Sequence, residues 1–515
     1  MNIHIKSLLG ALAFSLLFYS KSFGLNTVLI SILVLVFLSS LKSRRPLPWG
    51  YAVAYLLTSL MVFVDPTAFK VFIHFMAFLV FVGKCISSKS SIYLSWFMGT
   101  VNMVIASVAR IAEGNPSKVT THRTSGQVSG RTIGQASSQK SYQTTGETTG
   151  RAFGQKSSQA SGQTSNQKTS NENTNQISPK TLLYLKGTLI AGVLLILFTI
   201  LYRSANPVFD DLLSQIDLSF ISIPWVLFTL LGYVLFLHLL RPYHPTELID
   251  LDDRQSDDLR TPAAPFNIPQ LEKLRNQQIL GIMVLGALNL LLIFFLVTDV
   301  IYLSDTIPIS NAAYSQSVHE GIYALMLSIV CAIAIILYFF RGDLNFYKGN
   351  KNIKQLTFLW ICLNFVLVIF TGYKNYEYVE ALGLTYKRIG VFVYLLLTLT
   401  GLVTAYLKVA RTRSFVYLVR RNTAVAFAFL FLSAAVPWDR AITWYNLENV
   451  DNSDVAYLIN LGETNSEQLY RYARGNKIKT AQDLKTRIGE KYSDYRKSQR
   501  EKTWQEYTLY QLKNQ

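Results

Sequence analysis

Long apolar runs separated by short polar segments dominate the second half of the chain. The clearest runs cover residues 283–303, 322–340, 356–371 and 391–409. A helix rises about 1.5 Å per residue, so a run of roughly twenty residues crosses the hydrocarbon core of a bilayer. A soluble helix of this length would carry a polar face. The pattern therefore predicts a polytopic, all-α transmembrane helical bundle.

Shorter runs extend the same pattern towards the N-terminus and complete it near the C-terminus. We interpret as further spans the runs near residues 5–20, 24–41, 49–64, 68–83, 182–202, 221–240 and 422–437. Segment 91–109 is also apolar, but serine, threonine and asparagine interrupt it. It either crosses the bilayer or lies in the interface as a re-entrant or amphipathic helix. The total is therefore about eleven spans, or about twelve if 91–109 crosses.

The composition changes abruptly between residues 111 and 180, where serine, threonine, glycine, glutamine and asparagine prevail. A ten-residue pattern that begins at Gly130 returns at Gly150. Such a segment cannot bury enough apolar surface to offset its chain entropy, so we expect a disordered, low-complexity linker. It separates an N-terminal membrane region (1–110) from the main bundle (181–437), and a small helical tail (438–515) follows.

The positions of the basic residues predict the orientation. Lysine and arginine cluster in the loops 42–45, 84–89, 341–354 and 408–421, and the linker is basic as well. Because basic loops are retained in the cytoplasm, all of these segments can be cytoplasmic together only if 91–109 does not cross. This arrangement gives about eleven spans, a cytoplasmic N-terminus and an extracytoplasmic C-terminal tail.

Composition fits a membrane protein and argues against other classes. Half of the 515 residues are hydrophobic, 16% are charged and the net charge is +18. In a soluble domain this charge would suggest nucleic-acid binding, but here it resides in loops, and we expect the lipid bilayer to be the partner. The three cysteines have no metal-site or disulfide spacing. No nucleotide or hydrolase motif is present, so we expect no cofactor, no metal and no catalytic residue.

Several short motifs resemble one bacterial family of multi-spanning proteins. They are Ala-Asn-Pro-Val-Phe at 205–209, His-Glu-Gly-Ile-Tyr-Ala-Leu at 319–325, Phe-Arg-Gly-Asp-Leu-Asn-Phe at 340–346, Gly-Leu-Thr-Tyr-Lys-Arg-Ile-Gly-Val-Phe at 383–392, and Trp-Asp-Arg-Ala-Ile at 438–442 with Tyr445 and Asn446. The chain is similar to the family known as domain of unknown function 4153, in particular to its Bacteroidetes-type members. The resemblance implies a bacterial inner membrane and no established activity.

The favoured topology brings several polar residues to the outer face of the bilayer. This candidate outer polar cluster comprises Asp299, His319, Glu320, Glu380, Lys387, Arg388, Asp439 and Arg440. Isolated charges near hydrocarbon are costly, so they tend to pair or to line a wet cavity. We expect Arg388 or Lys387 to pair with Asp299, Glu320 or Glu380. The cluster then forms a site for an ion, a proton or an anionic ligand, unless its members only extend into the headgroups.

Two asparagines and one acidic loop complete the set of polar candidates. Asn289 and Asn364 lie at mid-membrane depth, where they either join helices by hydrogen bonds or line a substrate pathway. The acidic loop 250–258 lacks the glycine and the final glutamate of an EF-hand, so we expect a solvated loop.

The tail has an apolar pattern at helical spacing, which predicts short helices packed on the outer membrane face. They either cap the bundle or present a docking surface to an envelope protein partner. The sequence therefore favours a non-enzymatic envelope component that senses or scaffolds. The alternatives are a secondary transporter of a small ion or solute and, less favoured, a membrane-embedded transferase.

Overall fold

The fold was described from a computed structural model. It describes residues 3–41, 47–113, 179–206, 208, 222–304, 327–451, 453–475 and 482–513. These residues form helices joined by turns and contain no β-strand. The all-α class predicted from the hydrophobic pattern is therefore confirmed. The linker segment 114–178 lies outside the described residues.

The first lobe consists of six helices around one apolar core. They are α1 (Ile3–Phe18), α2 (Leu25–Ser39), α3 (Trp49–Val64), α4 (Ala68–Ile86), α5 (Ile92–Glu113) and α7 (Ile223–Leu240). Tyr55, Phe81 and Phe236 lie in its core. The closest packing is between α4 and α5, where Gly83 faces the backbone of Ser95 and Gly99 faces the backbone of Leu79. These pairs run in opposite directions along the chain, so α4 and α5 are antiparallel.

The second lobe has its own core and longer helices. It contains α9 (Ile268–Ser304), α10 (Leu327–Phe339), α11 (Lys351–Leu382) and α12 (Tyr386–Ala410). Leu285, Phe340, Ile353 and Leu402 are fully buried in this core. Helix α13 (Phe415–Ala434) packs on α12 and also contacts α3, α4 and α5. It therefore connects the two lobes.

Helix α6 (Pro179–Ala205) belongs to a separate compact unit, residues 116–222. It is apolar from residue 190 to 205, as the run 182–202 predicts. Proline opens this helix, and Pro207 follows its end.

Within the described residues, six helices are long and apolar enough to cross a membrane, namely α4, α7, α9, α11, α12 and α13. Many of their large apolar side chains are exposed, among them Leu290, Phe294 and Leu432. Exposed apolar surface on this scale would be unfavourable in water but matches a lipid environment. The chain is therefore a multi-pass membrane protein.

The turns between these helices gather at two opposite ends of the lobes. At one end, which we call the basic end, Lys6 at the start of α1 donates to Ser40 after α2, and Ser91 before α5 donates to Asp252. At the other end, which we call the tail end, lie the turns that follow α1, α3 and α11. Of the basic loops, 84–89 and 408–421 meet at the basic end around Asp252, whereas 42–45 and the linker lie outside the described residues. The predicted orientation stays a prediction.

The C-terminal tail covers the tail end with short helices. They are α14 (Trp438–Asn449), α15 (Val455–Ile459), α16 (Ser466–Arg474), α17 (Gln482–Glu501) and α18 (Leu509–Lys513). Helix α8 (Thr246–Arg254) is not part of the tail and lies at the basic end. Ile442, Leu458, Leu469 and Ile488 form a small core of the tail. Asp454 caps α15 by accepting a hydrogen bond from the Tyr457 amide.

Candidate functional site

The first tail helix is fastened to the turn between α11 and α12. The Asn446 amide accepts from the Leu384 N–H and donates to the Leu384 carbonyl at 2.9 Å. Nearby, the buried Asp439 carboxylate accepts from the Tyr386 hydroxyl at 2.7 Å and from Thr464 at 2.9 Å. Two motifs that are distant in sequence, 383–392 and 438–446, therefore form one junction.

The last part of the tail is fastened to the first lobe by Glu506. One carboxylate oxygen accepts from the Ser22 N–H at 2.9 Å and from the Ser22 hydroxyl at 2.8 Å, while the other accepts from Thr503. Burial alone would raise the pKa of Glu506, but these hydrogen bonds outweigh it and lower the pKa to about 2. Glu506 is therefore ionised at all physiological pH values and holds the tail to the turn after α1.

Between these two attachments lies a cleft of about 570 Å³, which we call the tail cavity. The turn after α1, the α3–α4 turn, Tyr386 and four tail segments surround it. Asp439 and Arg440 from the predicted cluster line this cavity. A volume of this size lies within the range of small-molecule sites in proteins, so the tail cavity is the principal candidate site.

A buried ion pair lies in the wall of the tail cavity. Lys70 Nζ and Asp65 Oδ2 are 3.0 Å apart, and both side chains are less than 5% exposed. The second oxygen, Asp65 Oδ1, is buried and has no hydrogen-bond partner in the described residues. Since an unpaired buried acceptor costs free energy, this oxygen marks a place where a donor from outside the chain would be stabilised.

Two side chains of α17 and the turn after it add unused polar groups to the same cavity. Gln499 Oε1 is buried and lacks a partner among the described residues. Lys502 is half-buried, and this burial lowers its pKa although Glu463 and Glu506 oppose the shift. The lining of the cavity thus includes two residues with an unpaired acceptor, Asp65 and Gln499, and one cationic donor, Lys502.

A second cleft of about 530 Å³ adjoins the start of α12, with Tyr386 and Gly462 in the walls of both clefts. Lys387 lines it and is exposed. Arg388 is buried, donates to the carbonyls of Leu382 and Gly383, and lies 4.0 Å from the centre of the Tyr378 ring. Its guanidinium therefore stabilises the C-terminal end of α11.

The predicted outer polar cluster is only partly brought together. Asp299 pairs with Lys374 at 2.5 Å, where the sequence hypothesis paired it with Arg388 or Lys387. Glu380 is exposed, and Arg388 is occupied by the backbone carbonyls of the α11–α12 turn. His319 and Glu320 lie outside the described residues.

The mid-membrane asparagines both make helix contacts. Asn289 donates to the carbonyls of Leu285 and, across the interface between α9 and α11, Leu356. Asn364 donates to the carbonyl of Trp360 one turn earlier. Only the bond from Asn289 to Leu356 joins two helices, whereas the bond of Asn364 lies within α11. Asn289 Oδ1 is buried without a partner in the described residues.

At the basic end, the acidic loop is more ordered than the sequence suggested. Asp252 is buried and accepts from Ser91, Tyr93 and Arg420. Burial alone would raise the pKa of Asp252, but the hydrogen bonds from Ser91 and Arg420 lower it. Instead of the predicted solvated loop, residues 252–258 form a clamp that holds α5, α13 and the α12–α13 turn together. Asp250, Asp253 and Asp258 are exposed, as expected, although Asp258 also pairs with Arg413.

Among the residues that the structure describes, no group of three or more histidine, cysteine, aspartate or glutamate side chains is placed to hold a metal ion. The cysteines Cys85, Cys331 and Cys362 are unpaired.

A family model described as Domain of unknown function (DUF4153) matches residues 157–472. The chain belongs to this family. The DUF4153 match includes the second lobe, both motifs of the tail junction and part of the low-complexity linker. Helices α1–α5 and the residues after 472 lie outside the match. No curated protein and no solved structure matches the chain.

The tail cavity contains residues that the sequence reasoning missed. Asp65, Lys70, Gln499 and Lys502 were not candidates, because they come from the first lobe and the end of the tail and are far apart in sequence. One signal was available for the first two residues. Asp65 and Lys70 are charges at the junction of two apolar runs, where an unpaired charge is costly.

Proposed function

We propose that this DUF4153 protein is a non-enzymatic component of the bacterial cytoplasmic membrane. Its basic end faces the cytoplasm, and its tail acts outside as a sensing or scaffolding element. The observation that carries the proposal is the double attachment of the tail, through Asn446 to the second lobe and through Glu506 to the first. A change at the tail cavity would thereby reach both lobes.

The two alternatives have less support. Transporters commonly bind substrate at broken helices near the midplane, whereas α9 and α11 run without interruption through 37 and 32 residues. A transferase would need an exposed catalytic base. Asp439 is buried and already accepts from Tyr386 and Thr464.

The orientation can be tested with single cysteines in a variant whose three native cysteines are replaced by alanine. Glu501 is exposed at the tail end, and Lys351 is exposed at the basic end. We expect a membrane-impermeant maleimide to label Glu501→Cys in intact spheroplasts, and Lys351→Cys only after the membrane is opened. The reverse labelling would contradict the proposed orientation.

The role can be tested by complementation of a deletion strain under envelope stress. We expect Asn446→Ala and Glu506→Gln, which weaken the two attachments, to reduce complementation at normal protein abundance. The controls Asn449→Ala and Glu501→Gln change exposed tail residues of the same type and should complement fully. If instead Asn289→Leu abolished complementation and the attachment variants did not, the transporter alternative would be favoured.

A further inference from the structure

The polar groups of the tail cavity are unevenly satisfied. Asp439 is fully engaged by Tyr386 and Thr464, and Arg440 Nε donates to the Thr464 carbonyl at 3.0 Å. In contrast, Asp65 Oδ1 and Gln499 Oε1 are buried acceptors without a donor in the described residues. The Asp65 side chain is only 4% exposed. A ligand that donates hydrogen bonds to these oxygens would therefore be stabilised in this cavity.

The charges of the cavity limit the ligand further. Its lining carries three carboxylates, at Asp65, Asp439 and Glu463, and two cations, at Arg440 and Lys502. Lys70, which pairs with Asp65, adds the third cation, so the net charge at the site is zero. A strongly anionic or strongly cationic ligand would leave its own charge unbalanced when it lost water. An uncharged polar ligand meets the electrostatic requirement.

The remaining lining supplies both aromatic surface and further hydrogen-bonding groups. Tyr386, Tyr495 and Tyr510 contribute rings, and Ser498 and Lys502 contribute donors. Tyrosine combines a large apolar surface with a polar group. A molecule that carries many hydroxyls on an apolar ring skeleton can use both kinds of contact, since each hydroxyl both donates and accepts.

We propose that the tail cavity binds the neutral sugar of a carbohydrate. In this complex, sugar hydroxyls donate to Asp65 Oδ1 and Gln499 Oε1 and accept from Lys502, and the rings of the three tyrosines contact the apolar face of the sugar. A cavity of about 570 Å³ accommodates one or two sugar units.

The bound sugar can belong to either of two kinds of molecule. The cavity also contains Phe23, Val64 and Phe69, which belong to the turn after α1 and to the ends of α3 and α4. These side chains lie where the membrane helices end, so the headgroup of a glycolipid and a free oligosaccharide both have access. This inference rests on the proposed function only in placing the cavity outside the cytoplasm, because sugar binding itself does not depend on orientation.

The test uses the purified full chain in phosphatidylglycerol nanodiscs, without glycoside detergents. In the first arm, glucose, N-acetylglucosamine and cellobiose are titrated and binding is followed by saturation-transfer NMR and calorimetry. In the second arm, nanodiscs with monoglucosyl diacylglycerol are compared with nanodiscs without it, by native mass spectrometry. Ethanolamine serves as a small cationic donor that contains no sugar.

The decisive variant is Gln499→Leu, since the Gln499 side-chain oxygen has no structural partner to lose. Removing one hydrogen bond to the ligand should weaken sugar binding about tenfold. Gln482→Leu, on the exposed first turn of the same helix, should bind like the unaltered chain. Asp65→Asn keeps an acceptor at the same place and reports whether the charge matters.

Each outcome bears on the proposal. Saturable sugar binding that Gln499→Leu weakens and Gln482→Leu does not would support it, and the arm in which binding occurs identifies the source. Absence of sugar binding in both arms, equal binding by the two variants, or binding of ethanolamine in place of sugar would overturn it. None of these results depends on the labelling experiment, so a failure here is distinct from a failure of the proposed orientation.

Discussion

At the scale of single residues, Glu506 shows how one carboxylate can fix the end of a chain. It accepts four hydrogen bonds, two from Ser22 and two from Thr503, and its pKa is lowered to about 2. A depressed carboxyl pKa contributes stability that is present above the ordinary value, near 4.5, and is lost as pH falls towards the folded value.

We therefore expect the attachment of the tail to weaken as the pH falls from about 4.5 to about 2. Hydrogen exchange of residues 503–513 in the full chain measures this directly, with exchange in α11 as the internal reference. Glu506→Gln should weaken the attachment at neutral pH by about 1–2 kcal/mol, because charge-assisted hydrogen bonds become neutral ones. Equal protection in Glu506→Gln and the unaltered chain would contradict this role.

The sequence predicted the depth of single polar residues but not their partners. It located Asp299, Arg388 and Asp439 near one face of the bilayer, because apolar runs fix depth along a helix. It did not locate their partners, since pairs such as Asp299 with Lys374 depend on which helices are neighbours. Hydrophobic periodicity does not contain that information.

At the scale of elements, α4 and α5 pack more closely than side chains would allow. A Cβ at Gly83 would overlap the backbone of Ser95, and one at Gly99 would overlap the backbone of Leu79. Small residues at such contacts are typical of helix pairs in membranes, where van der Waals packing drives association. The sequence predicted both helices but did not identify this contact.

We expect Gly83→Ala and Gly99→Ala to separate α4 from α5 and to destabilise the first lobe by about 1–3 kcal/mol each. Gly50→Ala is the matched control, because nothing lies within 4 Å of a Cβ at that position. The loss of helicity in increasing sodium dodecyl sulfate, followed in mixed micelles, provides the measurement. Identical curves for Gly83→Ala and Gly50→Ala would show that the contact is dispensable.

The clamp at the basic end depends on one guanidinium of α13. Arg420 on α13 donates to the Asp252 side chain at 3.0 Å, to Asp257 at 2.8 Å and to the Asp252 carbonyl at 2.6 Å. The acidic run in the sequence indicated a surface loop, because no local pattern shows that a distant arginine will bind it.

Replacement of Arg420 by glutamine should leave the buried Asp252 short of a cation and destabilise the clamp by about 2 kcal/mol. The neighbouring Arg421 is exposed and contacts only the Tyr417 ring among the described residues, so Arg421→Gln is the control. We expect trypsin to cleave at Arg254 and Arg260 faster in Arg420→Gln in opened vesicles. Unchanged cleavage rates in both variants would argue against a clamp.

At the scale of the whole molecule, the positions of the helix ends limit the path of the chain. Helix α4 ends at the basic end, whereas α7 begins at the tail end, where Phe228 lies against Tyr19. The chain between them must therefore cross the bilayer an odd number of times. The sequence expectation that 91–109 does not span, which would assign the crossing to α6, stays a prediction. The antiparallel packing of α5 along α4 favours a crossing by α5 instead.

If 91–109 does not span, as the sequence predicts, the linker is cytoplasmic. A cysteine at Ser158, in the chain without native cysteines, should resist impermeant maleimide in intact spheroplasts and react after they are opened. Glu501→Cys provides the positive control for outside labelling. Labelling of Ser158→Cys from outside would show that α5, and not α6, crosses the bilayer.

Membrane proteins allow this much to be read from sequence because the bilayer imposes one length and one polarity on every span. The all-α class and the separation of basic loops from the tail follow from those two constraints. The division into two lobes with separate cores does not follow from them, because the helices of both lobes present the same kind of apolar surface to lipid.

The two lobes are tied twice, by the Arg420 clamp at one end and by the tail at the other. The apolar cores of the two lobes are separate, so one lobe can tilt relative to the other. A tilt about one of these contacts strains the other contact. An occupant of the tail cavity would then change the angle between the lobes, and the loops at the basic end would move with it.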